Sequence, residues 1–173
     1  MLLFFGIVYV AVIIQRLWEV GLAKRNAAYI RAQGGYEVGA GHYRYLVALH
    51  VCFFLSLLYE SLQVSRLPQL WWLPFGCFLL AQCGRYWCIA SLGRFWNTRI
   101  FVLPGASLVN RGPYRFLRHP NYCIVAIELY TLPATFGAYG TAVIFTLLNL
   151  WLLLRVRIPL EEETLETLAK EET

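Results

Sequence analysis

Five long apolar runs, separated by short polar stretches, organise this chain of 173 residues. They cover about residues 2–22, 43–61, 67–92, 121–136 and 138–156, each near the roughly 20 residues a helix needs to cross a bilayer. Runs of that length, with few charges inside them, predict transmembrane helices and not strands. The last two are joined by a very short turn at 137–140, which makes them an antiparallel hairpin. The pattern thus predicts an all-α polytopic membrane protein with about five spans and no internal repeat.

The basic residues give this bundle an orientation. Lys24, Arg25, Arg31 and Arg44 lie between spans one and two, and Arg94, Arg99, Arg111, Arg115 and Arg118 between three and four. Arg155 and Arg157 follow span five, and Arg66 stands alone on the other side. The positive-inside rule places the N-terminus outside and the C-terminus in the cytoplasm. Both long connections, about 23–42 and 93–120, are then cytoplasmic. The second is rich in aromatics (Phe95, Trp96, Phe101, Tyr114, Phe116), which argues for a folded segment that walls a pocket. Beyond it, the tail over 161–173 has helical spacing of Leu160, Leu165 and Leu168 and is expected at the interface.

Composition agrees: 59% of residues are apolar and 14% charged, with a mean hydropathy of +0.54. At this length a single domain, 1–173, is expected. The net charge of +5 sits beside apolar runs, which suits an anionic leaflet and not nucleic acid. Asp is absent altogether, which removes every motif built on it, from kinase catalytic loops to Asp-based triads. The five cysteines (52, 77, 83, 88, 123) form no C-x-x-C pair, and His42, His50 and His119 complete no zinc pattern. We expect small buried thiols, no disulfide and no metal. The apolar start, 1–14, has no positive flank before it or cleavage site after it, so it reads as a retained helix.

Two polar clusters flank the final hairpin. The run from Arg111 to Tyr122 leads straight into span four, with Pro120 suited to a first helical turn and free N–H groups able to bind an anion. His119 and Tyr122, three apart, project from one side of that turn. The run is either a pocket wall or a basic juxtamembrane anchor. After span five, Arg157 and Glu161 are four apart and share a helix face, ahead of Glu162 and Glu163. Inside the spans, Arg85 and Glu128 are costly charges that must face the bundle interior, a cavity or each other. His50 reads as a hydrogen-bonded packing residue, and Arg16 with Glu19 as a local pair.

The run Arg111-Gly-Pro-Tyr-Arg-x-x-Arg118-His119-Pro120-x-Tyr122 resembles the R-H-P-x-Y motif of the isoprenylcysteine carboxyl methyltransferase family. Arg157-Ile-x-x-Glu161-Glu162-x-x-Leu165 is similar to that family's second motif, in the right order and across a helical hairpin. Leu92 to Thr98 and the run Leu108-Val109-x-Arg111-Gly112 also resemble it. The resemblance implies a membrane-embedded enzyme using S-adenosylmethionine without a Rossmann domain. By that resemblance Arg118, His119, Tyr122, Glu161 and Glu162 bind the cofactor, and Arg157 lies close to the acceptor oxygen. Glu128 is the catalytic candidate inside the bundle: a plain phenol acceptor needs a base, for which Glu128 or His119 would serve, whereas a carboxylate or acidic enol needs none. The short chain, with Gln15-Arg16-Leu-x-Glu19 and Ala23-Lys24-Arg25-Asn26, resembles a bacterial branch associated with O-methylation of long-chain alkylpyrones or alkylresorcinols. This implies a bacterial cytoplasmic membrane, a site facing the cytoplasm and a lipophilic or prenylated acceptor entering from lipid between helices. Phospholipid N-methylation, an NADPH-dependent membrane reductase and a non-enzymatic membrane scaffold stand as alternatives.

Overall fold

The computed structural model describes residues 1–106 and 109–171, with side chains through 164. Leu108 of the Leu-Val-x-Arg-Gly run and the side chains of Leu165 and Leu168 therefore lie outside the described residues. Six helices account for most of the chain: α1 (Leu2–Ala32), α2 (Ala40–Gln63), α3 (Trp72–Leu92), α4 (Pro120–Thr135), α5 (Tyr139–Leu152) and α6 (Ile158–Glu171). A π-helical turn at Leu153–Arg157 joins α5 to α6 without a break. Two three-residue strands, β1 (Tyr36–Val38) and β2 (Ile100–Val102), pair antiparallel with Glu37 opposite Phe101.

The five apolar runs each become a helix, with shifted ends. The largest change is α1, which continues ten residues past the expected end at 22 and takes up half of what reads as a loop. Ala23, Ala27 and Ile30 remain buried on this extension while Lys24 and Arg25 point outward, so the helix leaves the apolar zone without ending. The strand pair is a departure from an all-helical reading. It ties the two long connections together at the end of the bundle that carries most of the basic residues.

Polarity is distributed as in a membrane protein. Leu3, Leu17, Leu55, Tyr59, Leu147 and Trp151 are all more than 50% exposed, while Glu19, Asn26, Arg85, Glu128, Asn149 and Arg157 are buried. In water that arrangement loses the hydrophobic driving force; in lipid it hides polar groups and leaves apolar ones against acyl chains. Three helical stretches are long and apolar enough to cross a bilayer: Leu2–Ala32, Ala40–Gln63 and Tyr139–Thr164. Together they make this an integral membrane protein. The remaining helices, α3 and α4, carry Arg85 and Glu128 and pack most extensively on each other. Four of the five cysteines (52, 77, 83, 123) are exposed on helix surfaces, against the expectation of burial, because a thiol is as compatible with lipid as with a protein core.

One end of the bundle is closed by aromatic packing. Phe5, Phe53, Leu57, Phe78, Leu132 and Phe136 form the core there, with Phe5 and Phe136 edge-to-face at 5.0 Å. Glu60 of α2 secures the same end by capping α5: its carboxylate accepts from the N–H groups of Gly140 (2.9 Å) and Thr141 (2.7 Å) and from the Thr141 hydroxyl (2.7 Å). A Cβ on Gly140 would come within 3.3 Å of both carboxylate oxygens, so glycine permits the close approach. Glu60→Ala is expected to cost about 1 kcal/mol, as for other lost helix caps. A lowered unfolding midpoint in detergent, with unchanged helical circular dichroism below it, checks this.

Candidate functional site

Between the helices lies a cavity of about 500 Å³, walled mainly by apolar side chains of α1 and α2. Lipid-exposed Leu17 and Val20 of α1 and Val47, Val51 and Leu55 of α2 belong to its wall, so it opens sideways toward acyl chains between these two helices. Its polar groups fall at two levels.

The first level sits at the loop end, around the hydroxyl of Tyr122. This phenol accepts from Arg157 Nε at 2.8 Å and donates to Glu161 Oε2 at 2.5 Å. Arg157 also donates to the Thr98 carbonyl at 2.7 Å, and the Thr98 hydroxyl meets Tyr43 Oη at 3.2 Å. The π-turn is what aims Arg157: the extra residue per turn rotates its side chain into the bundle while Arg155 stays exposed. Arg157 and Glu161, expected on one helix face, thus meet through a shared tyrosine. His119 stacks on the Tyr122 ring with centroids 5.3 Å apart and planes 10° from parallel. Its Nδ1 is 3.8 Å from Glu161 and its Nε2 3.5 Å from Glu162, without hydrogen-bond geometry. Arg118 is the outermost member, 88% exposed and 3.8 Å from Glu162. So Arg118, His119, Tyr122, Arg157, Glu161 and Glu162, drawn from two motifs about forty residues apart, come together at one end of the bundle.

Local structure holds this level in place. Gly112 has φ +58°, and a Cβ there would collide with the Ser91 side chain, so glycine alone lets the Arg-Gly-Pro turn lie on α3. Arg111 Nε then donates to the Ser91 carbonyl at 2.7 Å. Tyr114 packs inward beside Cys88, and burial pushes its phenol well above the usual range. The 93–98 segment is pinned to the extension of α1: Asn26 Nδ2 donates to the carbonyls of Trp96 (2.6 Å) and Gly93 (3.2 Å), and Asn97 Nδ2 to that of Ala23 (3.0 Å). Trp96, Asn97 and Thr98 wall the cavity, as the aromatic content of this connection suggests.

The second level lies deeper. Glu128 of α4 is gripped by Arg85, whose Nε donates at 2.8 Å and whose Nη2 reaches the other oxygen. Arg16 Nη2 (3.0 Å) and Gln82 Nε2 (2.8 Å) also donate to it. Glu19 completes the group, bonded to Arg16 at 2.7 Å and approached by Arg85 at 3.4 Å. Two cations thus balance two anions across α1, α3 and α4, and Gln15 links the rim by donating to Gln82 at 2.7 Å. The charges inside the runs at Arg85 and Glu128 do face each other, and the local Arg16–Glu19 pair forms; that the two pairs merge is not visible in their spacing. His50 of α2 and Asn149 of α5 also line the cavity. Asn149, a single amide inside an apolar run, is a group that sequence reasoning passes over.

The sequence profile described as "Isoprenylcysteine carboxyl methyltransferase (ICMT) family" matches residues 72–167, more than half of the chain. YpbQ, an uncharacterized protein of Bacillus subtilis (strain 168), is 40% identical over 163 residues, covering 94% of this chain and 96% of its own. An uncharacterized protein of Haemophilus influenzae (strain ATCC 51907 / DSM 11121 / KW20 / Rd) is 26% identical over 172 residues, covering 96% and 98%. No solved structure matches significantly. The matched segment runs from the start of α3 into α6 and contains both motifs that meet at Tyr122, so this integral membrane chain belongs to the isoprenylcysteine carboxyl methyltransferase family.

Proposed function

We propose that the protein is an S-adenosylmethionine-dependent O-methyltransferase for a lipophilic acceptor, working at the cytoplasmic face of a five-span bundle with its N-terminus outside. One observation carries the reading: the convergence of His119, Tyr122, Arg157 and Glu161 at the loop end of the bundle, where Tyr122 and Arg157 line a cavity that opens to lipid.

The residues fit the cofactor. Glu161 and Glu162 supply carboxylates for an ammonium group or ribose hydroxyls, with Arg118 at the rim to meet a carboxylate. His119 Nε2 and Asn121 Oδ1 are shielded polar atoms with no hydrogen bond among the described residues, as expected where a polar ligand belongs. When bound, S-adenosylmethionine supplies a methyl group already activated on a sulfonium. The protein's share is then positioning and exclusion of water. Arg157, held by Tyr122 and Thr98, orients the acceptor oxygen. Where the acceptor is a plain phenol, His119, stacked on Tyr122 at the same level as Arg157, is the proposed base; Glu128, the other candidate, lies at the inner level, held by Arg85, Arg16 and Gln82, and serves the charge balance there. The apolar wall of α1 and α2 takes the acceptor's tail, and the opening between those helices admits it from the bilayer. A long-chain alkylpyrone or alkylresorcinol fits this wall, as does an isoprenylcysteine-type carboxylate.

The test is product analysis. Purified protein in detergent, given S-adenosylmethionine and a 5-alkylresorcinol, is expected to yield a methyl ether by mass spectrometry. Methylation of a phospholipid amine, with none at oxygen, would replace this reading by N-methyl transfer.

A further inference from the structure

Seven residues beyond Tyr43 on α2, and eight before Arg157 on the α5 side, the cavity meets His50 and Asn149. At the rise of an α-helix both stand roughly 10 Å further from the loop end than Tyr43 and Arg157, as Glu128 does from Tyr122. Their hydrogen-bonding states are complementary. His50 Nδ1 lies 2.8 Å from the Leu46 carbonyl, which can only accept, so the ring proton is on Nδ1. The neutral ring therefore presents Nε2 as an acceptor, and that atom has no hydrogen bond among the described residues. Asn149 is 1% exposed, and neither its Oδ1 nor its Nδ2 has a partner among them. A buried amide with both ends unmet is costly, and native proteins rarely leave one so. The charged neighbours cannot help: Arg16, Arg85 and Glu128 are spent on one another.

We propose that His50 and Asn149 form a second recognition point in the cavity, which binds a neutral hydroxyl of the acceptor other than the oxygen that is methylated. This rests on the methyltransferase reading and narrows its substrate class. A hydroxyl satisfies both residues at once, donating to His50 Nε2 and accepting from Asn149 Nδ2. A carboxylate has no proton for His50, and a ring carbonyl serves Asn149 alone. The substrate is thus a tailed ring bearing two oxygen functions, one at each level. His50 lies outside the family-matched segment and Asn149 inside it.

The experiment compares two probes with the same chain, 5-pentadecylresorcinol and 3-pentadecylphenol, by equilibrium dialysis against the full protein in detergent without methyl donor. The resorcinol is expected to bind about tenfold more tightly, as the loss of one buried hydrogen bond with an orphaned partner implies. His50→Phe and Asn149→Leu should each bring the ratio close to one, and His50→Gln, which restores an acceptor, should recover part of it. Equal binding of the two probes by wild-type protein overturns the proposal, since it means that water or nothing fills this point; that comparison needs no variant to fold. Equal binding by protein that still binds S-adenosylmethionine leaves the methyltransferase reading standing. Failure to bind S-adenosylmethionine removes that reading and the hydroxyl site with it.

Discussion

Arg157→Ala is expected to abolish methyl transfer, lowering turnover at least about a hundredfold, while the protein still expresses, folds and binds S-adenosylmethionine. The size follows from what Arg157 does. Removing a preorganised charged donor aimed at a reacting oxygen costs about 10²–10³ in rate. Arg157 is buried, and its two partners, the Tyr122 hydroxyl and the Thr98 carbonyl, belong to residues that line the cavity, where a small molecule or water can replace it. Arg157→Lys should recover little, because an ammonium cannot serve Tyr122 and Thr98 in the fixed fork of a guanidinium. Single-turnover assays beside a cofactor-binding titration check both variants. Full activity in Arg157→Ala would remove the residue from the mechanism.

The largest effect on stability is expected at Glu128. Glu128→Leu leaves Arg16 and Arg85 facing Glu19 alone, one half-buried and one buried cation against one anion, and should cost about 3 kcal/mol. The companion double variant, Arg85→Met with Glu128→Leu, removes one charge of each sign and leaves the Arg16–Glu19 pair intact. It should be markedly more stable than Glu128→Leu, since a missing pair is tolerated better than a widowed charge. Unfolding midpoints in detergent decide this. Equal losses in the single and double variants would mean that packing between α3 and α4, and not charge balance, holds them together.

Much of this molecule is visible in its sequence, for physical reasons that differ by residue. Three of the five runs fall in helices long and apolar enough to cross a bilayer, and the other two, which carry Arg85 and Glu128, become helices that pack on each other. Arg85 and Glu128 stand out because charges in such runs need partners. The convergence of the two motifs follows from resemblance; that Tyr122 is the hinge between Arg157 and Glu161 does not, because it depends on a π-turn that no spacing rule announces. Other features are silent. The α1 extension is polar on one side only, so its first charged residues, Lys24 and Arg25, mimic a helix end. The strands β1 and β2 are three residues each, too short to show alternation, and they pair across more than sixty residues. Asn149 is a single amide in an apolar run, and His50 looks satisfied because its bond to Leu46 stays within its own helix. Asn149 has no partner for its amide among the described residues, and both residues line the cavity.

His119, Tyr122, Glu161 and Glu162 are proposed to hold S-adenosylmethionine at the loop end of the bundle. Isothermal titration of the detergent-purified protein with S-adenosylmethionine, wild type beside His119→Ala, tests it most directly. Saturable one-site binding is expected, weakened about tenfold or more by the substitution, which removes both the stack on Tyr122 and the imidazole between the two carboxylates. No binding by well-folded wild-type protein, or equal affinity in the two, would contradict the assignment.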